Sequence, residues 1–263
     1  MLFPDSERVL YDKNPLKEVI SQFRFPTILR IREGQLAGFH DMIRTDYPIY
    51  SEQEPSFAVP PDIPKELVTM FEQMGVPPGL VTHKFSTKDS RRFISLRDDF
   101  MALAETKYER WESFGEGIMK AEAALKKVYE PALYSRVGLR YRDIISRRSL
   151  NLTDVRWQDL IKTHVIAELG DKNVSDAISR IQTRAIIMIP DIPDGRIMLN
   201  HGLVIPNGSD EKCYFIDADF SVESKEGINE PFKILEKFNR LAGQLFRWAI
   251  TERLHDAMEP RAI

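Results

Sequence analysis

The sequence predicts an α+β fold in which a β-α-β-β-β-α unit occurs twice and forms one curved antiparallel sheet with its helices on one face. Two observations predict this fold. Strand-like and helix-like segments follow in the same order in both halves of the 263-residue chain. Residues 19–45 also align with 137–163 without a gap, because Arg24 and Arg142 as well as Asp41 and Asp159 are separated by the same distance in sequence (142 − 24 and 159 − 41 both equal 118). We therefore expect a saddle-like molecule with a pseudo-two-fold axis.

The first half, residues 1–132, is predicted to contain a strand, a helix, an antiparallel meander and a closing helix. The strand "EVISQFRFPTILRIR" is rich in β-branched and aromatic residues, which is typical of strands. Both helices have apolar residues three or four positions apart, which places these residues on one side of each helix. The predicted ranges are 18–32 for the strand, 34–48 for the helix, 81–87, 91–99 and 100–111 for the meander, and 112–132 for the closing helix.

A proline-rich segment at 47–80 interrupts the first half. It holds seven of the sixteen prolines, and the second half has no insertion of similar length. An asymmetric addition to a symmetric scaffold is a candidate recognition element. The alternative is a loop that covers an exposed sheet edge.

The second half, residues 133–263, repeats the order of the first. Its predicted elements are a strand at 133–146, a helix at 152–169, strands at 179–190, 195–205 and 211–222, and a helix from about 229 to 258. Each closing helix must bury an apolar stripe, so both should lie on the same side of the sheet. This order of elements is similar to the saddle of the TATA-box-binding protein. A single helix-grip layout and two ferredoxin-like domains side by side are the alternatives.

Composition limits the class of protein. With 43% hydrophobic and 29% charged residues, the chain resembles soluble globular proteins, and no apolar run approaches the roughly 20 residues of a membrane-spanning helix. The start of the chain has no signal-like segment and Cys213 is the single cysteine, so we expect a cytoplasmic protein without an internal disulfide. The formal charge of −3 disfavours nucleic-acid binding over the whole surface but permits a local basic strip.

The first strand of each half carries the candidate binding residues. Side chains alternate between the two faces of a strand, so polar positions two apart should share a face. Guanidinium groups aligned in this way can hold phosphates or carboxylates with two hydrogen bonds each. The alternative is that they pair with acids on neighbouring strands, such as Asp217, Asp219 or Glu105. The predicted binding residues are Gln22, Arg24, Arg136, Arg140 and Arg142.

The sequence predicts no catalytic residue, metal site or cofactor. Its five histidines have no spacing typical of metal ligands, and no phosphate-binding loop is present. The segments "DIPDGR" and "IPNGSD" are typical of hairpin turns. The carboxylates of Asp98, Asp99 and Glu105 leave a metal-dependent, nuclease-like enzyme as the alternative function.

Three stretches resemble a known family. These are "YDKNPLKEVISQFRF", "RVGLRYRDII" and "LFRWAITERLHDAM". Together they are similar to a sporadically distributed family of uncharacterised bacterial and archaeal proteins, with Asn-Pro-x-x-Glu-Val near the start, Gly-Leu-Arg-Tyr at the centre and Ile-Thr in the last helix. The sequence has Arg142 and Asp143 where that family carries an Asn shortly after the central Tyr. The resemblance implies no established enzyme activity and suggests an accessory of an anti-phage defence or toxin–antitoxin locus.

The sequence therefore favours a non-catalytic binding or adaptor protein over an enzyme. Its expected partner is a protein or a nucleic acid, held by the basic strip or by the 47–80 insertion. A homo-oligomer and a subunit of a larger complex both remain open.

Overall fold

The structure is a computed structural model that describes residues 2–53 and 81–262. It has an α+β fold with a large antiparallel sheet, as the sequence predicts. The predicted insertion at 47–80 falls mostly outside the described residues, apart from its first positions.

In the described part of the chain, nine strands form the large sheet, and two short strands, β1 (Val9–Tyr11) and β11 (Pro260–Ala262), pair separately. The order in the large sheet is β3-β4-β5-β6-β2-β7-β10-β9-β8, and all neighbours are antiparallel. The strands of the first half thus lie on one side of the β2–β7 pair and those of the second half on the other. The nine strands are β2 (Leu16–Arg24), β3 (Ile49–Gln53), β4 (Thr82–Ser86), β5 (Arg92–Arg97), β6 (Phe100–Glu105), β7 (Arg136–Ile145), β8 (Gln182–Met188), β9 (Arg196–Val204) and β10 (Cys213–Glu223).

Within residues 2–53 and 81–262, two long helices, α3 (Trp111–Tyr129) and α5 (Pro231–Ala249), accompany the sheet together with four short ones. The long helix α5 begins with a proline, which suits the first turn because the amide there has no partner within the helix. No helix in the described ranges is both long and apolar enough to cross a lipid bilayer. The helices are α1 (Leu29–Arg32), α2 (Ala37–Ile43), α3 (Trp111–Tyr129), α4 (Thr163–Ile166), α5 (Pro231–Ala249) and α6 (Glu252–Ala257).

The core lies between the long helices and one face of the sheet. Phe238 of α5 packs against Phe220 of β10, with ring centroids 5.9 Å apart, and Phe232 lies 6.0 Å from Phe23 of β2. Gly117 of α3 lies so close to the sheet that a β-carbon there would be 3.2 Å from a methyl group of Leu103. Burying these apolar surfaces is the main favourable term in folding.

The predicted first strand is too long. β2 ends at Arg24, and Pro26 follows, whose missing N–H cannot join a sheet ladder. The backbone amide of Ile28 instead donates to the carbonyl of Asp98 at 2.8 Å. The chain therefore turns around the tip of the β5–β6 hairpin, and Ile31 of α1 enters the core.

The single helix predicted at 152–169 is also wrong. The structure has short 3-10 turns and only one turn of α-helix, α4, in this region. Ala167 has a positive φ of 53°, which ends α4. Asp159 consequently lies in a 3-10 turn, whereas Asp41 lies in α2.

The predicted last helix, 229–258, is interrupted. Ile250 adopts an extended conformation and bridges Ile161, which separates α5 from α6. The hydroxyl of Thr251 then accepts a hydrogen bond from the amide of Leu254, so a new helix N-terminus is capped. The hydroxyl also donates to the carbonyl of Asp159 at 2.8 Å, and this tertiary contact compensates for the interruption.

Candidate functional site on the open face of the sheet

The five predicted binding residues lie on the face of the sheet that is opposite the long helices. Residues directly opposite one another in an antiparallel pair share a face. Arg24 pairs with Arg136, Gln22 with Gly138, and the neighbouring positions of β7 on this face are occupied by Arg140 and Arg142. We call this set, Gln22, Arg24, Arg136, Arg140 and Arg142, the arginine strip.

Most of the arginine strip is paired with acids from neighbouring strands. Arg140 donates to Asp217 of β10 through Nε at 2.7 Å and Nη2 at 2.5 Å. Arg142 donates to Glu18 of β2 at 2.8 Å. The sequence left open that these arginines pair with acids on neighbouring strands. The structure shows this pairing for Asp217.

Arg136 is the most enclosed arginine of the strip. Its Nη1 donates to the side-chain oxygen of Gln22 at 2.8 Å, and its Nη2 donates to Asp219 at 3.0 Å. Burial raises the pKa of Asp219, while the positive charges of Arg136 and Arg140 act in the opposite direction. The guanidinium groups thus compensate for the burial of an acid in the middle of the sheet.

Arg24 differs from the rest of the strip. Its nearest acid is Asp99, with Nη2 and Oδ2 3.8 Å apart, and 48% of its side chain is exposed. An arginine held so loosely can reach a ligand without giving up a strong internal hydrogen bond. Arg24 is therefore the member of the strip that is best placed to contact a partner.

The sequence identified the arginines of this surface but not the full arrangement of its acids. Asp217 and Asp219 were named as neighbours, whereas Glu105 lies on the opposite face and pairs with Arg92 at 2.8 Å. The ion pair between Arg196 and Glu223 extends the pattern to β9. The i, i+2 spacing of acids in "FIDADF" was the signal for a charged face on β10.

The three carboxylates of the nuclease-like alternative do not meet. Asp98 and Asp99 lie at the start of β6 and Glu105 at its end. At about 3.3 Å per residue, the strand separates these ends by roughly 20 Å. Each carboxylate also has its own arginine partner: Asp98 accepts from Arg32, Asp99 from Arg97 and Glu105 from Arg92.

One possible metal-ligand group occurs in the described part of the chain, and the sequence did not predict it. The ligand atoms of Glu252, His255 and Asp256 lie within 4.8 Å of one another. Glu252 is engaged by Arg247 at 2.9 Å, and Nδ1 of His255 hydrogen-bonds to the hydroxyl of Tyr11 at 2.8 Å. These contacts explain the cluster as part of the packing around α6.

Comparison with known proteins gives no further guidance. No family model matches the chain, and no curated protein matches it.

Proposed function

We propose that this protein is a non-catalytic binding protein that recognises a partner protein through the open face of its sheet. The observation that carries the proposal is the alternation of arginines and acids across adjacent strands of that face. Arg142, Asp217 and Arg140 illustrate it, since each arginine lies next to an acid that it contacts. Such a surface can exchange its internal ion pairs for complementary ones on a partner.

The acids favour a protein over a nucleic acid as the partner. A phosphate chain along the arginine strip would meet Glu18, Asp217 and Asp219, which would repel it. The formal charge of the chain, −3, adds to this repulsion. A protein surface carries both signs of charge and can match both. Nucleic acid remains a separate outcome of the experiment below.

We further infer that the scaffold arose by duplication, with 1–132 and 133–263 as equivalent halves of a curved, saddle-like sheet. The strand order on the two sides of β2–β7 supports this, because each half contributes its strands in the same sequence outward. Ser21 and Leu139, which are equivalent under the repeat, also pair directly across β2 and β7. A two-fold axis between two antiparallel strands requires such a pair.

The two long helices support the same inference. α3 and α5 each contain 19 residues, and each follows the last strand of its half. Their buried positions also correspond. Ile118 of α3 and Phe238 of α5 are separated by the same number of positions in the sequence as Leu125 and Leu245 (238 − 118 and 245 − 125 both equal 120). Matched burial at a constant spacing is expected when two helices cover equivalent parts of one sheet.

The biological setting that we propose is that of an accessory protein in a prokaryotic anti-phage defence or toxin–antitoxin locus. This part of the proposal depends on the sequence resemblance described above. It predicts a partner encoded near the gene.

Charge reversal at Arg24 is expected to abolish partner binding without unfolding the protein. Arg24→Glu removes an exposed cation that lies 3.8 Å from the carboxylate of Asp99, so the free energy of unfolding should change by only about 0.5 kcal/mol. Arg140→Ala removes two hydrogen bonds to Asp217 and should cost more, about 1–2 kcal/mol. Thermal melting of both variants measures these effects.

Binding is measured by affinity capture of the native protein from its host, with RNase and DNase treatment of parallel samples. Arg44→Ala, which alters an exposed arginine of a comparable ion pair near α2, is the matched control. A protein captured by the native chain and by Arg44→Ala but not by Arg24→Glu supports the proposal. A partner that disappears after nuclease treatment identifies nucleic acid instead, and capture by Arg24→Glu at the native level contradicts the assignment of this face.

A further inference from the structure

A cavity of about 620 Å³ lies on the helix side of the sheet, away from the arginine strip. Its walls are residues 5–16, the start of α3, two side chains of β7 and the second half of α5. The N-terminal segment lines the cavity and is held by a hydrogen bond from Gln244 to Asp5 and an ion pair between Arg8 and Glu112. Pockets that bind small molecules typically have volumes of about 300–1,000 Å³.

A buried carboxyl group without a partner lines this cavity. Asp143 of β7 is only 9% exposed, and among the described residues no donor hydrogen-bonds to its carboxylate. Burial, reinforced by the charge of Asp217 across the sheet, raises the pKa of Asp143 to about 7. Buried polar groups nearly always have a partner, so an unpaired carboxylate that faces a cavity can accept a hydrogen bond from a ligand there.

Some of the other polar groups around the cavity have partners, whereas Nη1 of Arg247 is buried and has no hydrogen-bond partner among the described residues. The hydroxyl of Tyr141 donates to Asn239 at 2.8 Å. Arg247 is paired with Glu252, and Tyr11 with His255. Asp143 is therefore a buried acid of this wall that can accept a hydrogen bond from a ligand without breaking one to the described residues.

Aromatic rings surround the acid. Tyr11, Tyr108, Trp111, Tyr141 and Phe246 all line the cavity. The rings of Tyr108 and Tyr141 meet edge to face at 6.0 Å, and those of Tyr11 and Phe246 do so at 5.9 Å. Aromatic walls bury an apolar ligand body and also attract a cation.

We propose that this cavity binds a small organic amine, with its ammonium group on the carboxylate of Asp143 and its apolar body between the aromatic rings. The ammonium supplies both the missing donor and the counter-charge that a buried carboxylate requires. This inference is independent of the proposed function, because it uses the opposite face of the sheet. Either can fail without the other.

The experiment uses phenethylamine as the probe and 3-phenylpropionate as the matched anion, titrated into the native protein by calorimetry at pH 6. We expect the amine to bind with a dissociation constant of about 1 mM or lower, and the carboxylate to bind at least tenfold more weakly. Repeating the titration in buffers of different ionisation enthalpy should show proton release from Asp143 on binding. The proposal would be overturned if the amine failed to bind at concentrations tenfold above the expected dissociation constant, or if both compounds bound equally well.

Two variants test the assigned position. Asp143→Asn has nearly the same shape but no charge, so it should weaken amine binding at least tenfold and abolish proton release. Gly243→Leu adds a side chain at the cavity wall, where a β-carbon meets no atom within 4 Å, so it should block binding without lowering the melting temperature. Arg44→Ala, far from this wall, should bind as the native protein does. Undiminished binding by Gly243→Leu contradicts the site even if Asp143→Asn does not fold.

Discussion

Phe238→Ala is expected to lower the free energy of unfolding by about 3–5 kcal/mol, because it empties the centre of the contact between α5 and the sheet. The Phe238 side chain is fully buried and packs against Phe220 of β10. The surrounding strands are hydrogen-bonded on both sides and cannot collapse into the vacated volume. The loss therefore includes the transfer of the ring to water and the cavity that remains.

The measurement is urea unfolding of the native protein and the variant, with Phe232→Ala as the matched control. Phe232 lies on the same helix but is only partly buried, so its truncation should cost clearly less. Leu235 and Leu245 of the same helix are buried with Phe238, whereas Phe232 and Leu241 lie partly buried at the margin of this stripe. Equal effects of the two substitutions would contradict the position of α5 on the sheet.

The second large effect is a loss of stability with rising pH that depends on Asp143. Its pKa in the folded protein is raised to about 7 by burial, above the ordinary value of about 3.9 in the unfolded chain. At pH values between these two pKa values, Asp143 is therefore protonated in the folded state but ionised in the unfolded state. The stabilisation is fully present below about pH 4 and is lost as the pH rises to about 7, with a total of about 4 kcal/mol.

The groups that face Asp143 do not reverse this sign. Asp217 on the other side of the sheet raises the pKa further, and the hydroxyls of Tyr11 and Tyr141 stay neutral in this range because burial raises their pKa values as well. Arg8, which lines the same cavity, keeps its charge because its hydrogen bond to Glu112 raises its pKa further.

Asp143→Asn tests the pH dependence directly. The amide cannot ionise, so the variant should lose less stability than the native protein between pH 5 and pH 8, and it should be the more stable of the two at pH 8. Urea unfolding at several pH values measures the difference. Asp154→Asn, at an exposed position, is the control and should follow the native curve. Parallel curves for Asp143→Asn and the native protein would show that Asp143 ionises normally in the fold.

Local patterns in the sequence were sufficient for most strands of the large sheet and for the face on which the arginines of β7 lie. The strand "RVGLRYRDII" alternates arginine with apolar residues, and the structure places Arg140 on the open face and Val137 and Leu139 in the core. Successive side chains of a strand point to opposite faces because of the backbone geometry, so this alternation does not depend on what the strand packs against. The same reasoning predicted α3 almost to its observed ends.

Local patterns failed where distant residues compete for the backbone. The spacing of apolar residues at 152–169 is helical, yet Ile161 pairs with Ile250 and the amide of Lys162 donates to the carbonyl of Ala249. Those tertiary hydrogen bonds replace the helical ones at both places. Propensity is a weak preference that such contacts override.

The sequence by itself determined an α+β chain, the antiparallel strands and a face of aligned arginines, because these follow from periodicities of two and about four residues. Only the tertiary structure decided which acids neutralise which arginines, and that the carboxylate of Asp143 is buried without a hydrogen-bond donor from the described residues. Both depend on strand register and on the gap between α3 and α5, which are set by contacts between residues far apart in the chain. The sequence does not distinguish a buried carboxylate from an exposed one. Their pKa values differ because only the buried group has been removed from water.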